Sequence, residues 1–202
     1  LFTSDNSDLP YNGLYDIGFD NYGNIWFTGE KGATGLANVS MLSQDLSTWR
    51  VYDASSAELG LDQTEDRVFH MAVDYYNNKW FCTHYGVSYA KNDGTAGAMM
   101  IDDYTRSVFV DKKGIIYISN RTTETIEVSE DGGETWSTWE MADIGMSDGR
   151  PEIYDIDYDP TGRLWICTYY GVFFRDLAGD WHAVADIEGA YTYGMTLDLN
   201  GN

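Results

Sequence analysis

An all-β chain of repeated four-stranded units is predicted by three features. The first is composition: 21 Gly, 16 Tyr and 7 Trp stand beside only 3 Pro in 202 residues, which suits many short strands with Gly-containing turns and not a helical protein. The second is a five-fold internal repeat. Segments starting at Tyr15, Phe69, Arg106, Tyr154 and Tyr193 each read as an alternating apolar strand, an Asp, a short polar turn usually carrying Gly, and, except in the last, which the chain end cuts off, a strand with an aromatic near its start. The third is the period. The anchor residues Asp20, Asp74, Asp111, Asp159 and Asp198 are 54, 37, 48 and 39 residues apart, a length that holds four short strands and their turns, the unit of a propeller blade. The sequence therefore predicts a β-propeller of four-stranded antiparallel blades in a single domain, 1–202. Four complete blades fall at about 11–53, 66–102, 104–142 and 151–186, with fragments of a fifth in 190–202 and 1–5.

Each strand has its own signal. In the first blade the inner strand is Tyr15 to Asp20, the second Ile25 to Thr28, the third Leu36 to Leu42 and the outer Thr48 to Tyr52, and Trp49, Trp139 and Trp181 mark three outer strands. One and three residues before the anchors stand Phe19/Ile17, Val73/Met71, Val110/Val108, Tyr158/Ile156 and Leu197/Met195; period two puts them on one face, expected to pack between blades. Two before the anchors stand Gly18, Ala72, Phe109, Asp157 and Thr196, mostly small or polar, as crowded inner strands require. Leu1-Phe2 aligns with the end of an outer strand and Tyr193–Asp198 with an inner one. About 20 to 25 further residues would join them into a five-bladed ring, which would remove exposed sheet edges. A first residue that is Leu, not Met, reads as a mature, trimmed or partial chain.

Charge narrows the partners. Twelve basic against 33 acidic residues give a net charge of −21, which repels phosphate backbones and anionic lipid heads, so nucleic acid is not an expected partner. No apolar run reaches the roughly 18 residues of a spanning helix, so no membrane insertion is expected of this segment.

A resemblance follows from particular motifs. Asn6-Ser7-Asp8-Leu9-Pro10, then Leu14-Tyr15-Asp16-Ile17-Gly18-Phe19-Asp20 and Gly23-Asn24-Ile25-Trp26, resemble the two-component-regulator propeller repeat, as do Trp80-Phe81-Cys82-Thr83-His84-Tyr85-Gly86-Val87 and Trp165-Ile166-Cys167-Thr168-Tyr169-Tyr170-Gly171-Val172. The resemblance implies an extracellular, cell-surface or periplasmic recognition or sensor domain, often directed at polysaccharide fragments. The third repeat departs from it, with Tyr117 in place of Trp and Asn120-Arg121-Thr122-Thr123 in place of T-x-x-G. Ser129, Asp131, Gly133, Thr135 and Trp136 match the Asp-box, S-x-D-x-G-x-T-W, of sialidases, xyloglucan-cleaving hydrolases and related propellers. That similarity implies a structural hairpin between the third and outer strands, away from the ligand face.

No catalytic constellation emerges. Cys82 and Cys167 occupy equivalent positions two blades apart, beyond disulfide reach, and are expected to be buried thiols. His70, His84 and His182 fall on an inner strand, a loop and an outer strand, so they do not form a metal triad. Asp155-x-Asp157-x-Asp159 has only the start of a calcium-loop spacing, on a strand where that loop needs a tight turn; Asp16, Asp155 and Asp157 are the residues for a channel cation, and no cofactor is expected. Sequons stand at Asn38 and Asn120. The best candidate is the loop rim: Arg67, Tyr104, Glu152 and Tyr191, each seven before its anchor, with His84, Tyr85, Arg121, Tyr169 and Tyr170. Flat aromatics among a few hydrogen-bonding groups stack on sugar faces and read hydroxyls. The expected function is a non-catalytic carbohydrate-directed sensor with an oligo- or polysaccharide partner, within a longer chain or assembly. The alternatives are a propeller glycoside hydrolase or lyase, and a structural module of a surface protein.

Overall fold

A computed structural model of the chain describes residues 2–10, 12–31, 37–53, 57–61, 67–100, 103–111, 113–146, 153–185 and 192–195. Their strands form four antiparallel four-stranded sheets, the blades of a β-propeller fold. The first is β1 (Leu14–Phe19), β2 (Ile25–Lys31), β3 (Ala37–Leu42) and β4 (Trp49–Asp53); the second is β5 (Val68–Val73), β6 (Lys79–Thr83), β7 (Gly86–Ala90) and β8 (Ala96–Met99). The third is β9 (Thr105–Val110), β10 (Ile116–Asn120), β11 (Thr125–Ser129) and β12 (Ser137–Glu140); the fourth is β13 (Ile153–Tyr158), β14 (Leu164–Thr168), β15 (Gly171–Arg175) and β16 (Trp181–Ala183). Strands pair in chain order within each sheet. The chain divides into two compact units, Leu1–Val108 and Phe109–Asn202. Trp26, Val39, Val68, Met71 and Phe81 belong to the core of the first, and Tyr117, Ile126, Ile153, Ile156 and Ile166 to that of the second.

The anchor aspartates explain the inner hairpins. Asp20, Asp74 and Asp159 are buried, and a buried carboxylate survives only where donors surround it. Asp159 accepts from the Thr161 amide and hydroxyl, the Arg163 amide and Nε, and Trp165 Nε1, at 2.6–3.0 Å. Asp20 does the same with the Tyr22 and Asn24 amides, Asn24 Nδ2 and Trp26 Nε1. Asp74 takes the Asn78 amide and Nδ2 and, at 3.4 Å, Trp80 Nε1. In the third blade Asp111 holds the Lys113 and Ile115 amides. There Tyr117 replaces Trp, and its hydroxyl lies 2.6 Å from that of Tyr158.

Neighbouring inner strands are tied by the residue four before each anchor. Asp16 accepts from its neighbour, the Ile17 amide, through Oδ1 and from the Met71 amide of the next blade through Oδ2. Asp155 repeats this with Ile156 and Met195. His70 stands at the same position and donates Nδ1–H to the Val108 carbonyl at 2.9 Å. Met71 fills the space beside Gly18: a Cβ there would lie 2.9 Å from the Met71 sulfur, which is why a small residue is needed two before that anchor.

Two expectations are corrected. Met71, Val108 and Ile156, three before their anchors, are 4%, 0% and 1% exposed, whereas Ile17 and Phe19 are 55% and 66% exposed. Met71 packs in a core with Trp26 and Val39 of the first blade and Ile156 in one with Tyr117 and Ile126 of the third, whereas among the described residues no blade precedes β1. Phe2 and Thr3 form no outer strand, because Thr3 closes a turn: its amide donates to Asn6 Oδ1 and its carbonyl accepts from the Asn6 amide and the Ser7 hydroxyl. Thr192–Met195 is not assigned as a strand, yet Met195 makes the bond expected of an inner strand. Leu1 and residues 196–198 lie outside the described residues.

Burial opposes the charged form of Asp159, but the bonds from Thr161, Trp165 and Arg163 outweigh it and hold the carboxyl well below the usual range; Asp20 is lowered in the same way by Asn24 and Trp26. This stabilisation is complete above the unfolded carboxyl value of about 3.9 and is lost as pH falls toward the depressed folded value. Asp159→Ala, which strands several buried donors, is expected to lose about 2–4 kcal/mol in urea unfolding. Asp159→Asn should flatten the fall of the urea midpoint between about pH 4 and about pH 2; a parallel fall in both proteins would refute the assignment.

Candidate functional site

The starts of β1, β5 and β13 are irregular in the same way. Register shifts lie between Leu14 and Asp16, between Val68 and His70, and between Ile153 and Asp155. The extra residues are Tyr15, Phe69 and Tyr154, all five before their anchors, and a bulge re-aims the side chain it carries.

In the first unit these residues build an aromatic cluster. Phe69 is 6% exposed, and its ring centroid lies 5.6 Å from Tyr15, 5.3 Å from His84 and 5.2 Å from Tyr104. His84 meets Tyr104 edge-on at 4.7 Å and Tyr85 at 6.0 Å. The Arg106 guanidinium, again five before its anchor, stands 4.9 Å over the Phe69 ring. Tyr15 donates its hydroxyl to Glu30 Oε1 at 2.5 Å, and the Glu30 backbone bridges that of Arg67. Partial burial, then the bond to Glu30 and its negative charge, push the Tyr15 phenol up to about 12, against the opposing charges of Arg67 and Arg106.

The loop carrying His84 and Tyr85 is locked from both sides. Thr83 Oγ1 accepts from the Tyr85 amide and donates to the Gly86 carbonyl. Thr105, on the next inner strand, accepts from the Thr83 amide and donates to the same Gly86 carbonyl at 2.6 Å. The second unit repeats this: Thr168 binds the Tyr170 amide and the Gly171 carbonyl, and Thr192 caps them. There Tyr169 and Tyr170 meet edge-on at 5.2 Å, and Tyr154 lies 5.0 Å from Tyr193. Gly86 has φ +126°, and a Cβ on it would lie 2.4 Å from the Met100 carbonyl oxygen.

Of the sequence-derived rim, the structure brings Arg67, Tyr104, His84 and Tyr85 together in the first unit. Tyr169 and Tyr170 form their pair in the second, Arg121 sits in the β10–β11 turn, and Glu152 and Tyr191 lie outside the described residues. Tyr15, Phe69, Arg106 and Glu30 were missed. For Tyr15, Phe69 and Arg106 the signal was the recurring aromatic or Arg five before each anchor, hidden because strict alternation assigns that offset to the packed face; Glu30 carries no repeat signal.

The remaining candidates are occupied by structure. Asp131 accepts from the Ser129 and Thr135 hydroxyls and the Glu134 and Thr135 amides. Those bonds, led by the Thr135 hydroxyl, hold its carboxyl down to about 2. Gly133 donates its amide to Ser129 Oγ. Cys82 and Cys167 are free and buried, and burial pushes their thiols up to about 12 and about 11. Asp16, Asp155 and Asp157 each take a backbone amide. Among the described residues no three His, Cys, Asp or Glu converge on one point. Asn120 is 2% exposed, its Oδ1 accepting from the Thr122 and Thr123 amides.

Solved structures share this fold. The chain superposes on an ancestral GH74 enzyme with a TM-score of 0.70 at 16% identity, covering 94% of this chain and 26% of that one. It superposes on the extracellular domain of a putative hybrid two-component system from B. thetaiotaomicron with a TM-score of 0.66 at 16% identity, covering 93% and 26%. Against virginiamycin B lyase from Staphylococcus aureus the TM-score is 0.61 at 14% identity, covering 85% and 55%. The chain thus spans about a quarter to a half of these proteins. No protein-family model and no curated protein sequence matches it.

Replacing Glu30 by Gln is expected to bring the Tyr15 ionisation back toward the ordinary value near about 10. Ultraviolet difference titration against Tyr15→Phe measures it; an unmoved transition would remove Glu30 as its partner. Gly86→Ala is expected to destabilise by more than about 2 kcal/mol, since backbone carbonyls cannot give way as a side chain would, and thermal unfolding measures it.

Proposed function

We propose that this chain is a non-catalytic recognition or sensor segment of an extracellular β-propeller, and that it binds carbohydrate at the cluster around Phe69. One observation carries the reading: Tyr15, His84, Tyr104 and Arg106 converge on Phe69 at a bulged strand start. Ring faces stack on the C–H faces of a sugar, while the phenols, imidazole and guanidinium supply directed hydrogen bonds to its hydroxyls. The threonine locks on the adjoining loop keep these groups ordered before binding, which lowers the entropic penalty of association. Tyr169, Tyr170, Tyr154 and Tyr193 offer the same chemistry in the second unit. The Ser129–Trp136 hairpin we read as an Asp-box of purely architectural role, since the donors to Asp131 are all local.

A glycan array followed by titration tests this. Tyr104→Ala and Tyr15→Ala are each expected to weaken binding about two- to twelve-fold, the equivalent of roughly 0.5–1.5 kcal/mol per stacking contact. Binding to neutral hydroxyls should change little between low and physiological salt. Unchanged affinity in both variants, or collapse with salt, would refute the site. Turnover of a glycan, abolished by Glu30→Gln, would replace recognition by hydrolase or lyase chemistry.

A further inference from the structure

The far ends of β1 and β5, away from the Phe69 cluster, carry a second aromatic surface. The turns after Asp20 and Asp74 read Asn21-Tyr22-Gly23-Asn24 and Tyr75-Tyr76-Asn77-Asn78. In a chain with 33 acidic residues these eight positions hold no charged side chain. Tyr22, Tyr75 and Tyr76 are 62%, 83% and 74% exposed, and Tyr75 and Tyr76 present ring faces at 85° to each other, 5.6 Å apart.

These rings stand on a rigid base. Asn21 donates its amide to Asn77 Oδ1 and its Nδ2 to the Asp74 and Tyr75 carbonyls. Asn77, 3% exposed, donates Nδ2 to Asn92 Oδ1, and the Tyr22 hydroxyl donates to the same oxygen at 3.4 Å. The Asn77 backbone is held at φ +66°. The anchor carboxylates beneath are consumed by their turns and buried. Exposed tyrosines on an amide lattice fixed before binding, which the Lys79 ammonium braces by donating to the Asn77 carbonyl at 2.8 Å, suit a neutral ligand that offers both C–H faces and hydroxyls.

We infer that Tyr22, Tyr75 and Tyr76, with the asparagines beneath them, form a second binding platform for a neutral oligosaccharide, separate from the Phe69 cluster. Perpendicular rings favour a chain that turns between successive sugars over a flat aromatic ligand. The exposed Asn21 and Asn92 beside the rings place polar side chains where an aliphatic protein surface would offer hydroxyls no partner.

The probes are cellohexaose, xylohexaose and mannohexaose, with polygalacturonate as the anionic comparison, titrated calorimetrically into the whole chain. At least one neutral hexasaccharide is expected to bind, with little dependence on salt. Tyr22→Ala and Tyr76→Ala are expected to weaken that binding about five-fold or more, while Tyr104→Ala leaves it unchanged. Tyr22 and Tyr76 are exposed and Tyr104 is half-buried, and unaltered melting curves verify that the variants fold. Binding lost in Tyr104→Ala but kept in Tyr22→Ala and Tyr76→Ala belongs to the Phe69 cluster and overturns the platform while leaving that cluster standing. No binding of any neutral probe at millimolar concentration, binding of polygalacturonate alone, or self-association abolished by Tyr76→Ala would also overturn it, the last assigning the surface to a second copy of the chain.

Discussion

A carboxylate placed at the tip of a hairpin and then covered by protein is unstable unless its oxygens are saturated. Asp20, Asp74 and Asp159 meet that demand by drawing in the amides of their own turn and the indole of the next strand. The turn geometry, the start of the second strand and the orientation of its Trp follow from one group. Burial of Trp80 and Trp26 in turn removes two large indoles from water, and Trp26 joins the core of the first unit. The third blade shows the dependence from the other side. With Tyr117 in the indole's place, Asp111 is only partly buried, and the phenol turns to Tyr158.

Inner strands lie at sheet edges, and their outward amides need partners. Asp16 and Asp155 each satisfy one amide of their own strand and one of the following segment. Thr105 and Thr192 close the facing loops. Polar side chains at fixed offsets thus perform the edge protection that a continuous ladder gives elsewhere. The loops they tie down are the ones carrying His84, Tyr85, Tyr169 and Tyr170, so the same bonds that assemble the blades order the aromatic rims.

The five-fold pattern made the four described inner hairpins, the outer Trp positions and the places of Asp20, Asp74, Asp111 and Asp159 readable from the chain alone, because each depends on contacts within about ten residues. Half of the first unit's cluster was readable as well: Arg67, Tyr104, His84 and Tyr85 lie in loops that the repeat places on one rim. Tyr15, Phe69 and Arg106 were not. Alternation counts two residues per repeat, and a bulge adds one, so Tyr15 and Phe69, which belong to the packed face by count, are re-aimed. Nothing in the local residues announces the extra step.

Composition and periodicity therefore determined the class of fold, the four complete blades and the positions of Asp20, Asp74, Asp111 and Asp159, since hydrophobic period acts residue by residue. Only the tertiary structure decided which rings meet at Phe69, that Ile17 and Phe19 stay exposed while Met71 and Ile156 are covered, and that Tyr22 shares a lattice with Asn77 and Asn92. These outcomes turn on register and on contacts between blades, where a shift of one residue reverses the face a side chain presents.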